Sequence, residues 1–144
     1  MAPTLVLDGP RRLLPWLSGA GLPVADLDGA VPSLWLGLEE NGELLGGLGL
    51  EWHPPFALLR SLVVRPDCRG AGVGRRLVAA AEAAARARGV PTLYCLTTDA
   101  AAFFRSLGWT PVDRAEVPEA IRRTTQFASL CPASSSVLRR ETGR

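Results

Sequence analysis

Three alternate glycines, in Arg69-Gly70-Ala71-Gly72-Val73-Gly74, limit the folds open to this chain more than any other stretch of it. Before them, Ala57 to Arg65 reads as a strand whose end, Leu62-Val63-Val64, is rich in residues that suit extended backbone. After them, Gly72 to Arg88 reads as the best helix in the chain. Val73, Leu77, Ala80, Ala81 and Ala84 fall on one face of it, and Arg75, Arg76, Glu82 and Arg86 fall away from that face. Glu82 and Arg86 have the four-residue spacing of a helical ion pair, and Gly89 supplies the stop. Glycines at 70, 72 and 74 put no Cβ in the way, so several backbone N–H groups can converge on one anion. The helix that follows contributes its own unpaired amides and the positive end of its dipole. With Arg69, Arg75 and Arg76 alongside, the unit is a cradle for phosphate or pyrophosphate.

Three such cradles compete, beside the bland alternative of a glycine turn that is only a tight corner. A dinucleotide fingerprint requires Gly-x-Gly-x-x-Gly with an acidic residue after the next strand. Here the spacing is Gly-x-Gly-x-Gly and Thr97-Thr98 stands at that point. A Walker loop needs a lysine, and all sixteen basic residues are arginine. The same absence excludes a lysine nucleophile, Schiff base or general base. The third pattern is Arg/Gln-x-x-Gly-x-Gly/Ala at the start of a long helix, after a strand ending in valines. Arg69 to Gly74 fits it throughout.

Around this unit the elements alternate. Thr4 to Leu7 reads as a strand ended by Asp8-Gly9-Pro10, Arg11 to Ser18 as a weak helix interrupted by Pro15, and Val24 to Leu27 as a second short helix after Gly21-Leu22-Pro23. Leu34 to Glu39 and Leu44 to Leu50 flank Glu40-Asn41-Gly42-Glu43. Asn-Gly between two apolar runs is a hairpin signal, because both residues tolerate positive φ. Pro54-Pro55 ends the second hairpin strand. Thr92 to Thr97 is a strand, Asp99 is the expected N-cap of a helix carrying Phe103, Phe104 and Leu107, and Gly108 closes that helix. Trp109 to Val112 is extended, Val117 to Thr124 a short helix with Pro118 in its first turn, and Ser134 to Arg139 a last strand. This order predicts an α/β fold with an antiparallel front and parallel crossovers later.

At 144 residues the chain is the size of one domain, residues 1–144, and its 47% apolar and 21% charged content is ordinary for a globular protein. A net charge of +2 gives no reason to expect nucleic acid or an anionic membrane as partner. No apolar stretch approaches the ~20 residues of a membrane span, and Met1-Ala2-Pro3-Thr4 lacks a secretory start; cytoplasmic localisation is the expectation. Three cysteines at wide spacing (Cys68, Cys95 and Cys131) argue against a disulfide framework, and His53 is the one histidine, so no metal site is expected.

The glycine turn, Leu62-Val63-Val64-Arg65-Pro66 before it, the helix to Arg88, the strand Leu93 to Thr97 and Ala102-Phe103-Phe104-Arg105-Ser106-Leu107-Gly108-Trp109 together resemble the Gcn5-related N-acetyltransferase (GNAT) family over about half the chain. The C-terminal stretch, Pro111 to Ile121, then Thr125-Gln126-Phe127 and Leu130-Cys131-Pro132, is similar to N-acetyltransferases associated with arsenic-resistance gene clusters. The resemblance implies a GNAT fold, a mixed central sheet flanked by helices, with acetyl-CoA as cosubstrate and no metal. It implies transfer of the acetyl group to the amine of a small molecule, an arsenic-related or glutamate-like amino acid. Family members often dimerise. The alternatives are an acyl-CoA-binding module without turnover and a thiol-based binder of trivalent arsenic.

By the same resemblance, Leu62, Val63 and Val64 bind the pantetheine arm, and Arg69, Gly70, Ala71, Gly72, Val73, Gly74 and Arg75 the pyrophosphate, with Phe104 against the cofactor. Many members carry tyrosine at the position of Phe104, where it protonates the departing thiolate. Phenylalanine cannot, which leaves Tyr94 or water. Glu51 is the first candidate for general base, against a merely solvated carboxylate at a strand end, and His53 is the second. Ser61, on the strand before the valines, is a further catalytic candidate. Arg60 is expected to grip an acidic acceptor, although a strand arginine is commonly an ion-pair member, and Thr97 is expected as a polar contact. The cysteines read more simply as small buried hydrophobes than as arsenic ligands.

Overall fold

The computed structural model describes residues 4–19, 32–124, 127 and 135–142. Within them the strands are β1 (Thr4–Leu7), β2 (Ser33–Glu40), β3 (Glu43–His53), β4 (Phe56–Val64), β5 (Thr92–Thr97), β6 (Thr110–Val112) and β7 (Ser136–Glu141). The helices are α1 (Leu14–Gly19), α2 (Val73–Ala87), α3 (Ala101–Ser106) and α4 (Glu119–Arg122). The strands form one mixed sheet in the order β1-β2-β3-β4-β5-β7-β6. The expected helix from Val24 to Leu27, and Thr125, Gln126, Leu130, Cys131 and Pro132, lie outside the described residues.

The antiparallel front follows the expected hairpin: Asn41 (φ +54°) and Gly42 (φ +81°) both take positive φ, as a two-residue turn between twisted strands requires. The later half differs from expectation. Only β4 and β5 pair in parallel, since β7 returns between β5 and β6 and pairs antiparallel with both. A chain read in order cannot show that its last strand is inserted inside the sheet.

Two local features open a gap in this sheet. The parallel ladder runs from Phe56↔Thr92 to Leu59↔Cys95 and stops there. On the other side of β4 the register slips between Gly47/Gly49 and Val63/Arg60, so that Ser61 and Leu62 together face one residue of β3. Ser61 sits in this bulge at φ +61°, a left-handed conformation that a side chain disfavours. The bulge turns the end of β4 away from β5.

The helices cover both faces. Under α2 lies the larger cluster, including Leu36, Leu48, Leu50, Leu59, Leu77 and Leu93. On the opposite face Leu13, Leu17, Trp35, Leu44 and Val63 pack near α1, and Leu58, Tyr94, Val117, Ile121 and Val137 pack near α4. Gly49 is needed there, because a Cβ would stand 2.6 Å from the Trp35 ring. Helix α2 buries Val73, Leu77 and Ala81 as its pattern indicated, with Val78 and Ala85 added, while Ala80 and Ala84 are only partly buried. Glu82 turns from the expected Arg86 partner to the tertiary structure. It accepts hydrogen bonds from Arg140 Nε (3.3 Å) and Trp109 Nε1 (3.2 Å), while Arg86 Nε donates to the carbonyl of Thr142 (2.9 Å). A short helix-surface pair is worth only a few tenths of a kcal/mol, so buried partners displace it. Among the described residues no helix is long and apolar enough to cross a membrane.

Candidate active site

The gap between β4 and β5 continues into the glycine turn as one cleft of about 730 Å3. Leu62, Val63 and Val64 line its inner end, and Arg69, Gly70, Gly72, Val73, Gly74 and Arg75 its outer end. Gly70 (φ +84°) and Gly72 (φ +83°) alternate with residues of ordinary φ, the backbone arrangement that gathers N–H groups into an anion nest. Gly72 is the N-cap of α2 and makes no side-chain cap. The first intrahelical bond is Arg76 N to Gly72 O (3.0 Å), so the amides of Val73, Gly74 and Arg75 precede the ladder, at the positive end of a 15-residue helix. Gly74 permits close packing: a Cβ there would meet Phe103 at 3.2 Å and Val64 at 3.7 Å.

Two expected members of this set are placed differently. The Ala71 amide donates to the Cys68 carbonyl (3.2 Å) within the turn, and Ala71 is not on the cleft wall. Phe104 is buried at 3% exposure in the core, edge-on to Phe103 (5.3 Å) and Trp109 (5.1 Å); Phe103 lines the cleft instead. Helix α3 is a six-residue helix, too short for its apolar pattern to set its rotation, so the sequence left two adjacent phenylalanines indistinguishable. Cys68, Asp99 and Ala100 also line the cleft and were missed. Cys68 directly precedes the motif, which was the available signal. Asp99 does not cap α3. No side chain caps α3; the Thr97 hydroxyl instead holds the turn ahead of it, accepting from the Ala100 amide (2.9 Å) and the Asp99 amide (3.3 Å), and this is the contact the structure gives Thr97 in place of an acceptor contact. Tyr94 is 3% exposed and packs edge-on to Phe56 (5.9 Å) in the cluster near α4, not on the cleft wall.

On the face opposite α2 the remaining candidates meet. Glu51 lies across from Leu58, and Arg60, two residues along β4, lies across from Gly49. The Arg60 side chain is 1% exposed and its Nη1 donates to Glu51 Oε2 (2.9 Å), while its Nε donates to Ser61 Oγ (3.0 Å). Glu51 Oε1 stands 3.2 Å from His53 Nε2, accepting from it in the Nε2-protonated tautomer. Glu51 is therefore a buried, paired carboxylate and not a solvated strand end. Arg60, expected to grip an acceptor, has Nη1 on Glu51 and Nε on Ser61. Alternation along the strands brought these residues to one face, and the bulge brought Ser61 round to join them.

Beside the turn, the side-chain hydrogen bond from Arg65 Nε to Asp67 Oδ1 (2.6 Å) holds the Asp67 carboxyl below its ordinary range and raises Arg65. The tie is present above the usual carboxylate range and is lost as pH falls through the lowered Asp67 value. Burial pushes the Cys95 thiol well above its ordinary range, whereas Cys68 is partly exposed on the cleft wall. In the native protein iodoacetamide is expected to label Cys68 and spare Cys95, with coenzyme A slowing the Cys68 reaction. Peptide mass spectrometry with and without denaturant reads both sites. Labelling of Cys68 at one rate with and without coenzyme A would place the ligand elsewhere.

Residues 9–109 match the model of the Acetyltransferase (GNAT) family. Over 62 residues the chain is 45% identical to the amino-acid acetyltransferase of Ectopseudomonas mendocina, a stretch covering 43% of this chain and 14% of that protein. Over 84 residues it is 31% identical to an uncharacterized N-acetyltransferase of Chlorobaculum tepidum, 58% of this chain and 54% of that one. The matches thus span only part of these relatives. Among solved structures, N-acetylglutamate synthase from Neisseria gonorrhoeae, complexed with coenzyme A and N-acetyl-glutamate, superposes with a TM-score of 0.80 at 23% identity, covering all of this chain and 36% of that one. A GNAT acetyltransferase from Staphylococcus aureus Mu50 gives 0.78 at 14% identity, covering 99% and 100%. At such identities the likeness is one of fold.

Proposed function

Since the chain belongs to the acetyltransferase (GNAT) family, we propose that it transfers an acetyl group from acetyl-CoA to the α-amine of a small amino acid of glutamate-like character. The observation that carries this reading is the single cleft running from the bulge of β4 to the N-terminus of α2. Its two ends differ in chemistry, apolar strand backbone inside and converging amides with Arg69 and Arg75 outside, which matches a thioester-bearing arm joined to a pyrophosphate. An amino-acid acceptor is favoured by the amino-acid acetyltransferase resemblance, which covers 62 residues of the chain. The arsenic association rests on the C-terminal resemblance alone, and an arsenical or phosphinic analogue belongs in the acceptor panel for that reason.

In this reading the acceptor amine attacks the thioester carbonyl directly. The carbonyl oxygen, which gains charge, is faced by main-chain N–H groups of the Leu62–Val64 segment. Glu51 accepts the amine proton, through water where the amine does not reach it. The leaving thiolate is tolerable as such, since a thiol titrates near ~8.5, so the reaction is slowed rather than forbidden where no tyrosine hydroxyl protonates it. Thiol release from acetyl-CoA over a panel of glutamate, aspartate, glutamine, alanine and the two analogues tests the proposal. Turnover highest with glutamate-like acceptors is expected. Binding of coenzyme A with no turnover on any acceptor would make the chain a binding module instead.

A further inference from the structure

Four side chains form a continuous chain of contacts across the face opposite α2: His53 Nε2 to Glu51 Oε1 (3.2 Å), Glu51 Oε2 to Arg60 Nη1 (2.9 Å), and Arg60 Nε to Ser61 Oγ (3.0 Å). The chain begins at the partly exposed His53, with 19% of its side chain accessible, and ends at the strained residue that makes the bulge. Arg60, one of its two inner members, has a side chain only 1% exposed and touches both Glu51 and Ser61 through one rigid, planar group. The two contacts differ in what they hold. One holds Glu51, the carboxylate read above as proton acceptor, and the other holds a serine at φ +61°, directly before the Leu62–Val64 segment that lines the cleft. A guanidinium donates from fixed directions, so moving one partner moves the other.

We propose that Arg60 is a positioning residue for the reaction: it clamps Glu51 and the β4 bulge in one fixed relation, so that proton acceptance and alignment of the acyl arm are set by the same side chain. This rests on the reading of Glu51 as proton acceptor and assigns Arg60 a role other than gripping the acceptor. A buried arginine next to a buried glutamate is by itself a common structural pair. What separates this one is the second contact, to a residue held in a disfavoured conformation at the point where the two strands part.

The variants R60K and S61A, alone and combined, test it in the full chain, with R60M as a further variant where it folds. Lysine keeps the charge but lacks the fork. For R60K, kcat is expected to fall roughly ten- to hundredfold, as a misplacement of about 1 Å can cause, with the acceptor KM within about twofold of the parent. Coenzyme A affinity, by calorimetry, is expected to weaken several-fold in R60K and S61A alike. S61A is expected to have less effect on kcat in the R60K background than alone, since the contact is already lost. A rise of tenfold or more in acceptor KM with kcat preserved, confined to acceptors with a side-chain carboxylate, would show that Arg60 grips the substrate and overturn the proposal. So would unchanged kcat with a lowered melting temperature, which is a purely structural role. Should the parent protein turn over no acceptor, the proposed function fails by itself, and the calorimetry still decides the clamp: unchanged coenzyme A affinity in R60K and S61A refutes it.

Discussion

Replacing Glu51 by alanine is expected to destabilise the protein by about 3–5 kcal/mol and to reduce turnover by at least about a hundredfold. The first effect follows from burial. Arg60 is 1% exposed and Glu51 9%, so removing the carboxylate takes an ion-pair partner from a guanidinium charge in the interior. Removing one partner of a buried pair is far more damaging than the pair's net contribution, because the desolvation penalty of the survivor is no longer offset. The second effect is chemical, since a positioned general base contributes about 10²- to 10⁴-fold. Glu51→Gln separates the two. The amide still accepts from Arg60, so urea unfolding should show a smaller loss of stability, while kcat should fall as far as in the alanine variant. A glutamine variant with parental kcat would remove Glu51 from the chemistry and leave it a structural partner of Arg60.

Replacing Gly72 by valine is expected to weaken coenzyme A binding by about ten- to hundredfold, the equivalent of one amide contact to a charged group at about 1.5–3 kcal/mol. Gly72 holds φ +83° and nothing lies within 4 Å of the Cβ it lacks, so the disturbance is conformational and not a clash. A side chain there costs about 1–2 kcal/mol in the left-handed region and favours a different backbone. That rotates the amides of Gly72 and Val73 away from their common focus. Gly89 provides the control. It has nearly the same φ, +76°, equally open surroundings, and stands at the far end of α2. Gly89→Val should lower the melting temperature by a similar amount while coenzyme A affinity, read by calorimetry, stays at the parental value. Equal losses of affinity in both variants would mean that the turn acts only through the stability of α2.

The strand, turn and helix from Phe56 to Ala87 were legible because each depends on neighbours in sequence. Valines favour extension, glycines accept positive φ, and alanine and leucine at helical spacing make one apolar stripe. The hairpin at Asn41-Gly42 was legible for the same reason. Phe103 and Phe104 were not separable, because a six-residue helix takes its rotation from what it packs against. Asp99 looked like a cap by type and position, yet no side chain caps α3, and Thr97, where the chain leaves β5, accepts from the Ala100 amide in the turn ahead of the helix. Ala71 has the right place in the motif, but its amide is drawn into the turn by Cys68. Residue type marks a capacity to form a bond; the path of the backbone decides which bond is formed.

What the amino-acid order determined unaided was therefore the glycine turn ahead of α2 and the family to which its spacing belongs, since positive φ and unpaired helix amides are properties of a few consecutive residues. Only the tertiary structure decided the rest: the insertion of β7 between β5 and β6, the parting of β4 from β5, and the contact chain from His53 through Glu51 and Arg60 to Ser61. Glu51 and Arg60 are nine residues apart in sequence and come together because the chain turns back at Pro54-Pro55 and pairs in one particular register. A slip of one residue would send one of them to the other face. Register is set by the packing of a whole sheet, so no short segment of the chain contains it.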